Sequence, residues 1–383
     1  MRIAYVYDGY YPSTGADALQ VLNTVTAMSR QGAHVTLVYP HEPGGPIISR
    51  DELLDHYDVE GDIETVQLQS SNLGGRHLKK LTHSVAAMKL SVVAQADVVY
   101  SRNLPVILAA LRAGHRVVYD TYRPWPQQIR YSGRFFRRLF GHKRLLGGFF
   151  HSHHARNAYL DVGIEARKLC VAHNGFHPAA FESDQTANQA RLAIGLQRDA
   201  FTIGYTGRLD KEKGIMTLLE LAQAMPDINV LLVGGGQDID VIEDARNLDN
   251  VFHYDWQKPA LVPTFLRACD VLMIPPSAVA LTAGNTVLPM KLFDYLASGR
   301  AIVAPYSPDT AELLVHEENA WLVEKDTLAD LVGEIEGLRA DRDLLKRITD
   351  GALETSKTLT WDARGRKLLA HMDEWLQHDE ANR

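Results

Sequence analysis

The residues from Gly207 to Gly214 combine glycines with cations in a pattern suited to binding an anion. They read Gly207-Arg208-Leu209-Asp210-Lys211-Glu212-Lys213-Gly214. The segment follows the apolar run 201–205, which predicts a strand, and precedes the helical pattern 215–222. A helix N-terminus offers unpaired backbone N–H groups and a positive dipole end, so the segment predicts a diphosphate site with Arg208 and Lys213 on the phosphates. The alternative is a solvated helix start whose cations pair with Asp210 and Glu212.

A second segment, 288–299, places a cation and a carboxylate on one face of a predicted helix. Lys291 and Asp294 are three residues apart, and Gly299 ends the helical pattern. We expect Lys291 to bind a phosphate and Asp294 to bind a ribose diol, unless the two side chains pair with each other. The glycine run 234–236 is either a ligand-contacting loop or a tight turn between a strand and a helix.

Strand and helix patterns alternate along both halves of the chain, from the run 2–7 to the run 320–323. Alternating order predicts open parallel sheets covered by helices, whose ligands bind beyond the carboxyl ends of the strands. We therefore predict an α/β fold of two Rossmann-like, doubly wound domains that face a central cleft. The predicted parts are an N-terminal domain 1–182, a C-terminal domain 183–360 and a terminal helix 361–383 that crosses back to the first domain.

Composition narrows the class of protein. At 383 residues with 46% hydrophobic content, the chain is long enough for two cores, and its net charge of −7 argues against nucleic acid as a partner. Cys170 and Cys269 lie far apart in apolar runs, so we expect no disulfide and a reducing compartment. Neither a signal-peptide pattern nor an apolar run of about 18 residues occurs, and we expect a cytoplasmic protein.

Two groups of residues invite a metal site without supporting one. Asp238 and Asp240 stand where a helix is expected to begin, so capping explains them better than metal binding. His151, His153 and His154 cluster near the end of a predicted strand, but no carboxylate or cysteine stands at ligand spacing. We expect no metal and no cofactor, and a cleft or surface role for the histidines.

In order and spacing, these segments resemble the GT-B fold glycosyltransferases of family 4, which are retaining enzymes with nucleotide-sugar donors. The segment beginning at Lys291 resembles the family's Lys-Leu-Phe-Glu-Tyr-Met-Ala-Ser-Gly. The resemblance spans nearly the whole chain, and the residues that carry it are Tyr11-Pro12-Ser13-Thr14-Gly15, Gly32-Ala33-His34-Val35, Asn174-Gly175, Gly207-Arg208, Lys213-Gly214 and Lys291-Leu292-Phe293-Asp294-Tyr295-Leu296-Ala297-Ser298-Gly299.

The resemblance implies transfer of a sugar from a UDP- or GDP-type donor to a glycan or lipid-linked acceptor in cell-surface polysaccharide or glycolipid assembly. It makes the second domain the donor-binding one and the first the acceptor-binding one. It also implies that the leaving diphosphate helps to deprotonate the acceptor, so that the enzyme mainly stabilises charge on that diphosphate without a metal. The implied donor-binding residues are Gly15, Gly207, Gly235, Lys291, Leu292 and Asp294, and the implied catalytic residues are Arg208, Lys213 and Tyr122.

The chain departs from the family pattern at two positions. The family's paired glutamates correspond to Thr286 and Asp294, so the first acid is lost and the second is shortened. The family's histidine after the fifth strand is replaced by Tyr122, whose hydroxyl can donate a hydrogen bond but exchanges protons poorly at neutral pH. The departures leave three alternatives open: a catalytically silent GT-B scaffold subunit, a nucleotide-sugar epimerase and a phosphorylase.

Candidates for acceptor binding lie in the first half of the chain. Arg102 and Arg123 follow predicted strands at the carboxyl edge of the sheet, although Arg102 could equally form a structural salt bridge. The segment from Arg130 to Phe150 interleaves cations with aromatic and aliphatic residues, which is typical of a helix bound to anionic lipid. Alternatively, its apolar stripe packs on the sheet and its basic face is solvated. We expect a peripheral location on the inner face of a membrane. The cations are Arg130, Arg134, Arg137, Arg138, Lys143 and Arg144.

Overall fold

The computed structural model describes residues 1–42, 44–45, 47–70, 75–196, 200–276, 288–323 and 327–381. The chain divides into two units, each built on one parallel sheet. Unit 1 comprises Met1–Asn174 and Trp361–Arg383, and unit 2 comprises Gly175–Thr360.

The described strands of unit 1 form a seven-stranded parallel sheet. They are β1 (Arg2–Val6), β2 (His34–His41), β3 (Ile63–Gln69), β4 (Val98–Ser101), β5 (Val117–Thr121), β6 (Leu145–Phe150) and β7 (Leu169–Val171). Their spatial order is β3-β2-β1-β4-β5-β6-β7, which is doubly wound about β1. The central strands β4 and β5 are buried along their whole length, as expected where helices cover both faces of a parallel sheet.

Helices cover both faces of this sheet. They are α1 (Ala16–Arg30), α2 (Arg50–His56), α3 (Arg76–Ala87), α4 (Ser91–Ala94), α5 (Leu104–Ala113), α6 (Trp125–Gln128), α7 (Gly133–Phe140) and α8 (His153–Asp161). A short 3₁₀ turn, Ala166–Lys168, precedes β7.

Unit 2 repeats this scheme with six described parallel strands in the order β10-β9-β8-β11-β12-β13. The strands are β8 (Thr202–Thr206), β9 (Asn229–Val233), β10 (Val251–Tyr254), β11 (Val271–Met273), β12 (Ala301–Pro305) and β13 (Trp321–Val323). The helices are α9 (Pro178–Phe181), α10 (Ala187–Ala193), α11 (Ile215–Ala224), α12 (Ile239–Arg246), α13 (Val262–Arg267), α14 (Lys291–Ala297), α15 (Leu328–Ala340) and α16 (Arg342–Ser356). The 3₁₀ turns are Lys211–Lys213, Pro259–Leu261 and Thr310–Glu312.

The terminal helix α17 (Trp361–Ala381) packs on unit 1. Its Leu368, Met372 and Trp375 join the apolar core on the α1 side of the sheet. Helices α17 and α1 approach closely, because a Cβ atom on Gly365 would lie 2.7 Å from the carbonyl oxygen of Ala27. The last segment of the chain therefore completes the core of the first unit.

The division between the units falls at 174/175, whereas the sequence pattern predicts 182/183. The residues between these positions belong to unit 2 by packing. The backbone N–H of Phe176 donates to the carbonyl oxygen of Leu359 (3.2 Å), and Phe176 and Phe181 pack against one apolar cluster of unit 2. The polar residues 182–186 resemble a linker in the sequence, but they lie between α9 and α10 of the same unit.

No helix among the described residues is both long enough and apolar enough to cross a membrane.

Candidate active site

Two glycine loops pack backbone against backbone beyond the carboxyl ends of β8 and β9. The N–H of Gly207 donates to the carbonyl oxygen of Val233 (2.9 Å), and the N–H of Leu209 donates to that of Gly235 (3.0 Å). A Cβ atom on Gly234 would lie 2.0 Å from the carbonyl oxygen of Gly207, and Gly234 has a φ of 140°. Gly235 is exposed with open space where its Cβ would stand. The loops thus need glycine for their close approach.

Arg208 and Lys213 lie on the exposed rim of this loop. The Arg208 guanidinium pairs with Asp210 (2.6 Å), whose carboxylate also accepts the backbone N–H of Gln237 (2.9 Å). Lys213 is the last residue of the 3₁₀ turn and forms no ion pair with a described residue. Gly214 follows it with a φ of 74° and directly precedes α11. The alternative of pairing with acids therefore holds for Arg208 but not for Lys213 within the described part of the chain.

Lys291 lies behind the same loop. Its Nζ atom is 3.3 Å from the centre of the Tyr205 ring and would be 3.0 Å from a Cβ atom on Gly207. Burial, and then the charge of Lys213, hold the pKa of Lys291 well below its usual value. Lys213 and Lys291 are thus close enough to repel each other, and neither has an ion-pair partner among the described residues. An anion bound at this loop would offset that repulsion.

Asp294 is half-buried one helical turn beyond Lys291. Burial raises its pKa to about 7. It forms no hydrogen bond or ion pair with a described residue, so the predicted structural alternative, a Lys291–Asp294 pair, does not occur. The next residue, Tyr295, is fully buried, and its hydroxyl oxygen accepts the backbone N–H of Thr206 (2.9 Å), which ties α14 to the end of β8.

Leu292 is fully buried in the apolar core, and its predicted contact with a donor stays a prediction. The structure corrects the prediction that Asp238 caps a helix. Asp238 precedes α12 but makes no side-chain capping bond; it accepts the backbone N–H of Lys211 (2.8 Å) instead. Asp240 pairs with the Lys211 ammonium. Asp238 therefore holds the backbone of the loop 207–214, Asp240 forms an exposed ion pair, and capping was the wrong explanation for the Asp238 side chain.

Within the described ranges, no group of three or more His, Cys, Asp or Glu side chains could hold a metal ion. Thr286, which the resemblance aligns with the first of the paired glutamates, lies outside the described residues.

At the carboxyl edge of the unit 1 sheet, Tyr122 follows β5 and is flanked by two arginines. The guanidinium carbons of Arg102 and Arg123 lie 5.1 Å and 5.2 Å from the centre of its ring. Gly15 follows β1 in the sequence and directly precedes α1. Its backbone N–H donates to the hydroxyl oxygen of Ser13 (3.1 Å). The predicted acceptor-side residues Arg102 and Arg123 are thus brought together with Tyr122.

A buried polar network lies beneath Tyr122. The Asp120 carboxylate is 2.8 Å from Nε2 of His151 and 3.0 Å from the guanidinium of Arg364, and all three side chains are buried. Burial lowers the pKa of His151 to about 4, so the ring is neutral at pH 7 and donates Nε2–H to Asp120. The expectation of a cleft or surface role is wrong for His151, because its ring is buried and bonded to Asp120. The sequence did not show this pairing, since Asp120 lies 31 residues away.

The segment from Arg130 to Phe150 is only partly a helix. Helix α7 buries Phe136, Leu139 and Phe140, and the residues from Leu145 onward form the fully buried strand β6. The prediction of one continuous interfacial helix is therefore wrong. A basic surface remains, with exposed Arg130, Arg134, Arg137, Arg138 and Lys143, a half-buried Arg144, and exposed Ile129, Tyr131 and Phe135.

Sequence reasoning missed several residues that position these sites, chiefly Tyr205, Tyr295, Gln20 and Arg364. Tyr205 was visible as an aromatic residue two positions before Gly207, but strand alternation alone does not show which side chain lies beneath a loop. Arg364 was detectable as a cation on the apolar face of the terminal helix pattern, at a position where a buried charge requires a partner.

Residues 188–355 match the family model described as Glycosyl transferases group 1. The match covers most of unit 2 and less than half of the chain. The matched range lies wholly inside this unit and contains both glycine loops and α14. The loop 207–214 thus lies within the matched range.

Curated relatives match over part of their length. The lipopolysaccharide core biosynthesis glycosyltransferase LpsD of Rhizobium meliloti (strain 1021) is 28% identical over 173 residues, which are 44% of this chain and 48% of that protein. The phosphatidyl-myo-inositol mannosyltransferase of Mycolicibacterium smegmatis is 24% identical over 235 residues, covering 60% of this chain and 57% of that protein. The chain therefore spans about half the length of the curated relatives that it matches.

Solved structures resemble the chain over nearly its whole length. Anabaena Alr3699/HepE in complex with UDP and glucose has a TM-score of 0.74 at 18% identity, covering 97% of this chain and 99% of that one. Sucrose-phosphate synthase from Thermosynechococcus elongatus has a TM-score of 0.76 at 18% identity, with coverages of 98% and 99%. At this identity the likeness concerns the fold, which is the predicted GT-B fold of two parallel-sheet domains.

Proposed function

We propose that this protein is a retaining glycosyltransferase that moves a sugar from a UDP- or GDP-type donor to a glycan or lipid-linked acceptor in cell-surface polysaccharide or glycolipid biosynthesis. The observation that carries the proposal is the convergence of Arg208, Lys213 and Lys291 on the glycine loop after β8, inside a glycosyl transferase group 1 domain. The names of the relatives, which include lipopolysaccharide and inositol-lipid enzymes, support the acceptor class.

In the proposed step, the acceptor hydroxyl oxygen attacks the anomeric carbon while the bond from that carbon to the donor phosphate breaks. Attack on the same face as departure retains the anomeric configuration, and the acceptor proton passes to the leaving phosphate oxygen. Negative charge develops on the diphosphate, so Arg208 and Lys213 stabilise the transition state more than the ground state. No metal is required in this scheme, because the side-chain cations supply the positive charge.

The remaining donor contacts follow from the geometry of unit 2. Lys291 gains a phosphate counter-charge that offsets its repulsion by Lys213. Asp294, which has no partner among the described residues, accepts hydrogen bonds from the ribose hydroxyls. Gly207 and Gly235 allow the diphosphate to approach the backbone, and the tyrosine beneath the loop holds Lys291 in place.

Unit 1 binds the acceptor in this proposal, with Tyr122 as a hydrogen-bond donor to the substrate. We also propose a cytoplasmic protein held reversibly at the inner membrane face by the basic surface around α7. Its exposed arginines stand beside Ile129, Tyr131 and Phe135, which are 48%, 77% and 42% exposed. Helix α3 adds an exposed apolar stripe of Leu78, Leu81 and Val85, a pattern that favours contact with lipid.

The test is incubation of the purified protein with UDP-, GDP- and ADP-sugars, with released nucleotide as the readout. We expect one donor to be consumed, turnover to survive EDTA, and the product to retain the donor's anomeric configuration by NMR. The Arg208→Ala variant serves as the control for contaminating activity.

The outcomes separate the competing functions. Nucleotide binding without turnover on any donor and acceptor supplied would favour the silent scaffold subunit, and an inverted product would exclude the retaining mechanism. Conversion of one nucleotide sugar into its epimer would favour an epimerase.

A further inference from the structure

The residues around Tyr122 form a compact group of hydrogen-bond donors in unit 1. Arg102, which follows β4, and Arg123, which follows β5, both lie over the Tyr122 ring, at 5.1 Å and 5.2 Å from its centre. Arg123 also lies over Trp125, at 5.3 Å. Strands β4 and β5 pair directly, so these side chains emerge side by side at one edge of the sheet.

Arg102 is held in place by buried side chains. One of its terminal nitrogens donates to the side-chain oxygen of Gln20 (3.0 Å), and Gln20 is 1% exposed. The amide nitrogen of Gln20 in turn donates to Thr24 (3.0 Å) and to Asp120 (3.5 Å). The Arg102 nitrogen that bonds Gln20 also donates to the carbonyl oxygen of Asp17 (3.5 Å), so the guanidinium is fixed before any ligand arrives. Its Nε and its other terminal nitrogen make no hydrogen bond to a described residue.

The hydroxyl of Tyr122 extends this donor set. Its oxygen accepts Nε–H of Arg123 (3.1 Å), which leaves the hydroxyl hydrogen to be donated elsewhere. Both arginines are donors only, so the group offers a ligand positive charge and N–H or O–H groups.

Two carboxylates lie near Arg102 without forming an ion pair with it. Asp17 and Asp120 act electrostatically on Arg102, but neither forms an ion pair with it. Asp120 is bound by His151 and Arg364, and Asp17 accepts the hydroxyl of Tyr7 (2.7 Å). The positive charge of Arg102 remains available at the edge of the sheet.

We propose that Arg102, Tyr122 and Arg123 bind a phosphate group of the acceptor. Two guanidinium groups and a hydroxyl match the several oxygens and the charge of a phosphate better than those of a single carboxylate. The term acceptor rests on the proposed function, in which unit 1 binds that substrate; the phosphate site itself does not depend on it. The enzyme then selects acceptors that carry phosphate, whether as a monoester or as a lipid-type diester.

The experiment measures phosphate binding in unit 1 alone. The full-length Arg208→Ala/Lys213→Ala/Lys291→Met protein lacks the three cations of the unit 2 loop and serves as the background. Calorimetric titration with inorganic phosphate, dimethyl phosphate and acetate compares a monoester-like anion, a diester and a carboxylate. We expect at least one phosphate probe to bind about tenfold more tightly than acetate. The tighter phosphate probe then identifies a monoester or a diester acceptor.

Variants at the site complete the test. Adding Arg102→Gln should weaken phosphate binding about tenfold, and Tyr122→Phe should weaken it by a smaller factor. Arg112→Gln, an exposed arginine on α5, is the matched control and should change nothing. Phosphate affinity that is unaltered by both site variants, or acetate binding as strong as phosphate, would overturn the proposal. UDP binding to the unsubstituted protein tests the donor site separately, so the two proposals fail independently.

Discussion

The Nζ atom of Lys291 lies 3.3 Å from the centre of the Tyr205 ring, directly behind Gly207. This contact places a third cation at a loop that already carries Arg208 and Lys213. In the protein without ligand, burial and then repulsion by Lys213 lower the pKa of Lys291. An anion at the loop relieves the repulsion, which is why the arrangement suits a diphosphate leaving group.

Replacing Arg208 or Lys213 by alanine should lower the rate of sugar transfer about 100-fold, because each change removes a cation from the leaving diphosphate. Steady-state release of nucleotide measures the effect, and circular dichroism checks the fold. Lys211→Ala is a matched control, since Lys211 lies in the same 3₁₀ turn but pairs with Asp240. Equal rates for all three variants and the parent would remove the loop from the mechanism.

Asp294→Asn should weaken nucleotide binding about tenfold while changing the chemical step little, because a ribose contact exists in the ground and transition states alike. Calorimetry with UDP and GDP gives the Kd, and single-turnover rates give the chemical step. Asp244→Asn, on the exposed face of α12, is the control. A Kd that stays unchanged in Asp294→Asn would leave this carboxylate without a role in the donor site.

The same residue predicts a dependence of stability on pH. Burial raises the pKa of Asp294 from 3.8 to about 7, so the folded protein holds this proton more tightly than the unfolded chain. Its contribution to the free energy of unfolding therefore decreases as pH rises from about 4 to about 7. The Tm of Asp294→Asn minus that of the parent should increase over this range. A constant difference would show that Asp294 is ionised without penalty in the folded protein.

Arg364→Met should destabilise unit 1 by about 3–5 kcal/mol, because the fully buried Asp120 would lose its guanidinium partner. Loss of that positive charge should also raise the pKa of His151 above its value of about 4. Thermal unfolding and a histidine NMR titration measure the two effects. Arg366→Met, exposed on the same helix, should alter neither. Equal unfolding of the two variants would mean that the network does not fasten the terminal helix.

Replacing Arg130, Arg134, Arg137 and Arg138 by serine should release the protein from anionic liposomes without altering nucleotide affinity. Each exposed cation near such a surface contributes about 1 kcal/mol, screened over a Debye length of about 8 Å at physiological salt. Co-sedimentation at low and high salt measures the binding. Removing four exposed cations of α16 and its end, Arg342, Lys346, Arg347 and Lys357, matches the change in charge. If both variants sediment like the parent, the basic surface is only solvated.

The sequence alone predicted the two parallel sheets, since alternating apolar runs and amphipathic segments follow from local periodicity. It also predicted which loops carry glycine beside cations, because that signal lies within the eight residues 207–214. Local signals were less reliable where burial decides. The apolar residues from Arg130 to Phe150 read as an interfacial helix, yet most of them belong to α7 and β6 and face the core.

Only the tertiary structure decided which distant side chains meet. The fold of unit 2 brings Lys291 under the loop that begins at Gly207, more than 80 residues earlier in the sequence. Asp294, one turn further along α14, has no partner among the described residues. The packing of α17 on α1 joins Arg364 to Asp120, which is 244 residues away. Such pairings depend on burial, because a charge removed from water must find its partner wherever the fold supplies one. The spacing of residues along the sequence does not show which partner a buried charge will meet.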